Sequence, residues 1–234
     1  MTTTAGVELR GWLSSTLLGR LPDSAGADVL RAGEERDFSA EDVLMRQGDQ
    51  DDHVLLLLDG LVKVIADSEP GQKVLLGIRV GGDVVGEMAA LERAARMATV
   101  TACRPGRALF IRRPLLDELM ITYPVLAVQL AATISGRLRK ADERCVDITS
   151  YGSLTRLSRA LISILASHGA RKGLRWRLDI ELNQAEIGSL VGLKKRTAEK
   201  CFKELRDNGV IECEWRVVEV IDMPRLRRIA DDRQ

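Results

Sequence analysis

The sequence predicts an α+β chain: a small β-roll in the N-terminal half, one long helix after it, and a winged helix-turn-helix at the C-terminal end. Three observations predict it. Between residues 36 and 112, short β-prone runs alternate with turn residues and no helical period is sustained. From Pro124 to about Ile148 there is no internal proline, and apolar residues recur at alternating spacings of four and three. Residues 183–206 read as two short helices broken at Gly192, followed by a hairpin pattern. A chain of 234 residues can bury two modest cores. The expected division is an N-terminal unit with flanking helices at 1–123, the long helix at 124–148, a polar hinge at 149–153 and a C-terminal module at 154–234.

In order along the chain, an amphipathic stretch around Leu9 to Leu30 precedes the β-rich part. The strand candidates are Asp42 to Arg46, Val54 to Leu58, Leu61 to Ile65, Lys73 to Arg79 and Ala98 to Ala102. Gly48-Asp49, Asp59-Gly60, Glu69-Pro70-Gly71 and Gly81-Gly82-Asp83 separate them as turns. Runs so evenly spaced suit a barrel or roll. Pro124 stands where a helix accepts proline, at its first position. Ala127, Ala131, Ile134, Leu138, Ala141, Cys145 and Ile148 then form a heptad stripe flanked by Arg137, Arg139, Lys140, Asp142 and Glu143. That pattern points to a two-stranded seam between two copies of the chain; the alternative is a helix packed on its own domain. Beyond the hinge, Leu157, Ala160, Leu161, Ile164 and Leu165 share one face of a helix from Leu154 to Ser167.

Composition narrows the class. Hydrophobic residues make up 45% and charged residues 29%, as in a soluble globular protein, and no apolar run approaches the roughly 18 residues of a membrane span. The first eight residues lack the basic-then-apolar layout of a signal peptide, so a cytoplasmic location without membrane attachment is expected. Cys103, Cys145, Cys201 and Cys213 are scattered without metal-ligand spacing, and are expected as reduced thiols, with no metal site. His53 and His168 have no partner in a catalytic motif, and no acid/base, nucleophile or metal constellation supports an enzyme. The net charge of +1 hides a split: residues 150–234 hold 17 Lys and Arg against 12 Asp and Glu, whereas residues 1–149 hold 18 against 22. A basic C-terminal module on an acidic partner unit suits binding of nucleic acid at one end.

The C-terminal module carries the sharpest signal. Asn183-Gln184-Ala185-Glu186 has the form of a capping box that opens a helix. Ile187, Leu190 and Val191 would be its buried face, Gly188 would admit a close crossing and Gly192 would end it. In the second helix Ala198, Cys201, Phe202 and Leu205 face inward. That helix opens with Lys194-Lys195-Arg196 and has no capping side chain. Each of these cations opposes the helix dipole by about 0.3–1 kcal/mol when exposed. An anion at that end reverses the sign, and double-stranded DNA supplies phosphates and guanine edges. The candidate DNA-reading residues are Asn183, Gln184, Lys194, Lys195, Arg196, Thr197 and Lys200; a solvated basic face is the alternative. Val210-Ile211 and Val217 to Ile221 would form the wing.

The order of parts resembles the cyclic-AMP receptor protein/fumarate-nitrate regulator (CRP/FNR) family over essentially the whole chain. The likeness lies in Gly48-Asp49 through Asp59-Gly60-Leu61-Val62-Lys63-Val64, in Gly82-Asp83-Val84-Val85-Gly86-Glu87-Met88-Ala89 with Arg96 and Ala98-Thr99-Val100, and in Glu186-Ile187-Gly188 with Val191-Gly192. It implies a cyclic-nucleotide-binding-type roll, a dimerisation helix, and a homodimeric transcription regulator that meets DNA and RNA polymerase. It also implies a phosphate-binding cassette with Gly86, Glu87, Met88, Arg96 and Met97 as ligand-binding candidates. Gly86 would allow close backbone approach, Glu87 would accept from a ribose hydroxyl and Arg96 would pair with a cyclic phosphate. The hydroxyl residue that usually follows the arginine is Met97 here, which cannot donate to a phosphate. Where cyclic-AMP receptors place hydroxyls for adenine, this chain offers Ala141 and Asp142. Cyclic AMP, another nucleotide, another ligand or none therefore stay open as effectors, and an internal Glu87–Arg96 ion pair is the structural alternative. Iron–sulfur sensing would need clustered N-terminal cysteines, and the first is Cys103. The family's common Ser-Arg-Glu-Thr is Lys194-Lys195-Arg196-Thr197, which replaces an acid by a donor and implies G-rich contacts on a different operator. A nucleotide sensor acting through protein contacts, without DNA, is the competing reading.

Overall fold

The structure, a computed structural model, describes residues 11–68, 71–214 and 216–232. The readings of residues 1–10 and of the Glu69-Pro70 turn lie outside these. The chain divides into two compact units, Met1–Lys63 with Ile78–Leu138, and Val64–Gly77 with Arg139–Gln234.

Most of the roll lies in the first unit, and its segment Val64–Gly77 is counted in the second. Two short helices, α1 (Leu17–Arg20) and α2 (Asp23–Ala32), bury Leu17, Leu18 and Val29. Eight strands follow: β1 (Glu34–Phe38), β2 (Val43–Met45), β3 (Val54–Leu57), β4 (Leu61–Asp67), β5 (Lys73–Val80), β6 (Val84–Val85), β7 (Thr99–Arg104) and β8 (Gly106–Ile111). They form two four-stranded sheets ordered β1-β8-β3-β6 and β2-β7-β4-β5. Every residue of β3 is buried, because it is an interior strand with β8 and β6 as neighbours; an unbroken apolar run suits a strand covered on both faces. β1 escaped the sequence reading because its residues Glu34 to Asp37 are charged and exposed. It is an edge strand, held to β8 in register Glu35↔Leu109, and it needs no apolar alternation. Gly60, at φ +86°, lies so close to Gly106 that a Cβ would meet the Gly106 Cα at 3.0 Å. That close approach of backbones requires glycine.

Helix α3 (Glu87–Glu92) follows β6, and α4 (Arg113–Thr122) follows β8. The long helix α5 spans Pro124–Ser150, two residues beyond the expected end. Thr149 Oγ1 donates to the carbonyls of Cys145 and Val146 at 3.2 and 2.9 Å, so this polar residue continues the helix instead of ending it. In the first unit, α5 sends Leu126 and Leu130 into a core shared with Leu116 and Leu119 of α4, Leu56 of β3 and Leu109 of β8.

In the second unit, α6 (Ser153–His168) buries Leu157, Leu161, Ile164 and Leu165. After it come β9 (Ala170–Lys172), β10 (Arg175–Asp179), α7 (Gln184–Ser189), α8 (Lys195–Asp207), β11 (Ile211–Glu214), β12 (Val217–Val220) and α9 (Met223–Asp231). The expected hairpin is present as β11 and β12, within a four-stranded sheet ordered β11-β12-β10-β9. Sequence reading missed β9 and β10, whose outward residues are basic. Arg175 reaches Glu212 at 2.7 Å and Arg177 reaches Glu219, its cross-strand partner, at 2.8 Å. Cross-strand charge pairs of this kind support an exposed sheet face only weakly, because water screens them. Among the described residues no single helix is long and apolar enough to cross a membrane.

Candidate functional site

The helix-turn-helix is built as its residues dictate. Asn183 Oδ1 accepts from the Glu186 amide and Glu186 Oε2 accepts from the Asn183 amide, both at 2.9 Å, so the capping box is complete. The helix it opens is short; Gly192 takes φ +69°, and the Leu193 amide donates to the Gly188 carbonyl at 3.0 Å. Leu193 is buried and plugs the turn. A Cβ on Gly188 would meet the Ala198 Cβ at 2.4 Å, so α7 and α8 cross at glycine distance. Arg156 of α6 donates to the Val191 carbonyl at 3.0 Å and holds the turn from behind.

This packing turns one face of α8 outward. Ala198, Cys201, Phe202 and Leu205 are buried, while Lys194, Lys195, Arg196 and Lys200 are exposed and Thr197 is half-buried. Lys194 is the N-cap with no side-chain cap bond, and the first turn holds no acid. Lys195 lies 4.0 Å from Glu199 one turn on, a weak exposed pair. Asn183 is exposed at the start of α7 and Gln184 half-buried beside it. Uncapped amides and exposed cations at one helix end are what an anionic duplex requires. The nearby thiols are inert: burial pushes Cys201 up, and pushes Cys213 up to about 11.

The cassette candidates sit at the start of α3 and in the loop before β7. Gly86 takes φ +84°, and a Cβ there would meet the Arg96 Nη1 and the Met45 Cε, both at 2.6 Å. The alternative of an internal Glu87–Arg96 ion pair is not what the structure forms: each of these buried charges has another partner. Glu87 accepts from Arg137 of α5 at 2.6 Å, and Arg137 also donates to the Val84 carbonyl at 2.8 Å. Arg96 donates through Nε to Asp51 at 2.5 Å, through Nη1 to the Gly86 carbonyl at 2.8 Å and through Nη2 to the His53 carbonyl at 2.6 Å. Met88 is half-buried and Met97 is exposed. His53 stacks on Phe110 at 4.3 Å, and burial holds its imidazole below the ordinary value. Arg137, Asp51 and His53 escaped the sequence reading, because their partners lie 43 to 50 residues away and no local pattern links them.

The stripe on α5 divides. Ala131, Leu138, Cys145 and Ile148 are exposed, whereas Ala127, Ile134 and Ala141 are half-buried, Ile134 against the core of the first unit. Val128, outside the expected stripe, is also exposed. A helix that serves a core on one side and a second surface on the other drifts off a strict heptad.

Comparison with known proteins agrees with this geometry. Residues 35–123 match the model of the cyclic nucleotide-binding domain, and residues 155–229 match that of the Crp-like helix-turn-helix domain. The chain belongs to the CRP/FNR family. As a member it is a DNA-binding transcription regulator with a cyclic-nucleotide-type unit ahead of its helix-turn-helix. The CRP-like cAMP-activated global transcriptional regulator of Mycobacterium tuberculosis is 26% identical over 207 residues, covering 88% of this chain and 92% of that one. The cyclic AMP receptor protein of Thermus thermophilus is 29% identical over 185 residues, covering 79% and 82%. A solved CRP/FNR transcriptional regulator, also from Thermus thermophilus, shares the fold at a TM-score of 0.72 and 24% identity, over 86% of this chain and all of the other.

Proposed function

We propose that this CRP/FNR regulator acts as a homodimer that reads a two-fold symmetric duplex with α8, under the control of a small molecule met by the roll. The observation that carries this reading is the start of α8: exposed Lys194, Lys195 and Arg196 with no acid in the first turn and no side-chain cap, on a helix packed closely against α7. Donor-only side chains favour guanine O6 and N7, so half-sites with G-rich contacts follow, about one helical turn apart. Asn183, Gln184, Thr197 and Lys200 flank the same surface and serve backbone positioning. The exposed side of α5, with Val128, Ala131, Leu138, Cys145 and Ile148, is the seam between copies. A division into sensor, dimerisation helix, hinge at Tyr151-Gly152 and DNA-binding module fits these roles. RNA polymerase is the protein partner and the cytoplasm the location this reading assigns.

Replacing Lys195 and Arg196 together by Ala tests it. Each lost base or phosphate contact weakens binding by about 1–3 kcal/mol, so specific affinity falls by two orders of magnitude or so while the dimer persists in light scattering. Unchanged affinity means that another surface reads the DNA.

A further inference from the structure

We propose that Asp51 is a built-in anion for the roll: its carboxylate holds the guanidinium that a ligand's phosphate would need, and thereby sets this regulator against cyclic nucleotides. The proposal rests on the reading of the roll as an effector pocket and names a residue that decides its ligand class.

The geometry begins with a buried cation. The Arg96 side chain is 2% exposed, so its charge needs a compensating anion. Glu87, the acid inside the cassette, is taken by Arg137 at 2.6 Å. Asp51 supplies the charge, with Oδ1 at 2.5 Å from Arg96 Nε and Oδ2 at 3.4 Å from His53 Nδ1. The remaining edges of the guanidinium are used by the Gly86 and His53 carbonyls at 2.8 and 2.6 Å. Each of the three guanidinium nitrogens already donates once, and its charge is met by Asp51, so a phosphate finds the cation neutralised and its donors partly engaged.

Asp51 is also held in place and is reachable. The Arg96 amide donates to the Asp49 carbonyl, and the Gly48 amide to the Arg96 carbonyl, both at 2.8 Å, so the 48–51 loop is fastened to the residue it neutralises. The Asp51 side chain is 43% exposed, which places the ion pair at a solvent-facing mouth and not inside a sealed core. An incoming phosphate competes with a carboxylate tethered at high effective concentration. It gains little beyond the guanidinium, because the next residue, Met97, has no hydroxyl to donate.

Calorimetry on the full-length protein with cyclic AMP, cyclic GMP and inorganic phosphate tests this, using wild type, Asp51→Ala, the nearly isosteric Asp51→Asn, and Asp51→Ala with Arg96→Ala. The expected result is that Asp51→Ala binds at least one of the three anions about tenfold tighter than wild type or better, that Asp51→Asn gains in the same direction, and that the double variant loses the gain. Asp51→Asn keeps the shape of the loop, so the test stands if Asp51→Ala fails to fold. Wild type binding as tightly as the Asp51 variants, or no binding by any of them, overturns the proposal. Duplex selection on the same preparations reports on the DNA-binding reading separately. A protein that selects DNA while its Asp51 variants gain no anion affinity refutes the built-in anion alone.

Discussion

Gly188→Ala isolates the packing on which the DNA-reading surface depends. In an ordinary helix interior this change favours the helix by up to about 1 kcal/mol, because alanine loses less backbone entropy. Here the new Cβ would stand 2.4 Å from the Ala198 Cβ, against an ordinary contact of 3.4–4 Å. Relief requires α8 to move away from α7 by about 1 Å, at the cost of about 1–3 kcal/mol that overpacking brings. The net expectation is a destabilisation of about 1–2 kcal/mol together with weaker operator binding, since the displaced helix carries Lys195 and Arg196. Gly136→Ala in α5 is the matched control: nothing lies within 4 Å of its Cβ, so only propensity acts and stability rises by about 0.5–1 kcal/mol. Urea unfolding at fixed protein concentration, with fluorescence anisotropy on a selected duplex, reads both effects. A Gly188→Ala protein as stable and as tightly bound to DNA as wild type would refute the close crossing.

Arg137→Ala leaves the Glu87 carboxylate, 6% exposed, without its counter-charge, and is expected to cost about 3–5 kcal/mol in denaturant unfolding; a loss below about 1 kcal/mol contradicts the pairing. Burial holds His53 below its ordinary value of 6.5, so the unfolded chain takes up that proton first as the solution is acidified. The contribution of neutral His53 is therefore complete above that value and drains away as pH falls below it. His53→Gln should flatten the acid side of the melting-temperature profile, and an unchanged profile sinks the argument. Single Ala replacements of Lys194, Lys195 or Arg196 should each lower the slope of log affinity against log salt by about one if the side chain meets a phosphate, read from duplex titrations. Leu138, 61% exposed on α5, should convert the dimer to monomer when changed to Asp; an intact dimer by light scattering places the seam elsewhere.

What was legible in the sequence was local. The capping box, the turn glycines and the inward face of α8 follow from spacing alone, because each is made by neighbours within one or two turns. The interior strand β3 announced itself as an unbroken apolar run. The edge strand β1 and the basic strand β10 did not, since their stability comes from partners across a sheet and not from alternation. The cassette was half legible: Gly86, Glu87 and Arg96 were found as residues, but their pairing was not. Asp51 and Arg137 reach them across 45 and 50 residues, and a buried Arg96 and a half-buried Arg137 can pair with nearby acids in more than one way until geometry decides.

Selection of the wild-type protein on a randomised duplex pool shows whether α8 reads DNA sequence. Enrichment of a two-fold symmetric site with G-rich half-sites about one helical turn apart is expected, and its loss on replacement of Lys195 and Arg196. A pool that stays random, with and without cyclic nucleotides, would contradict it.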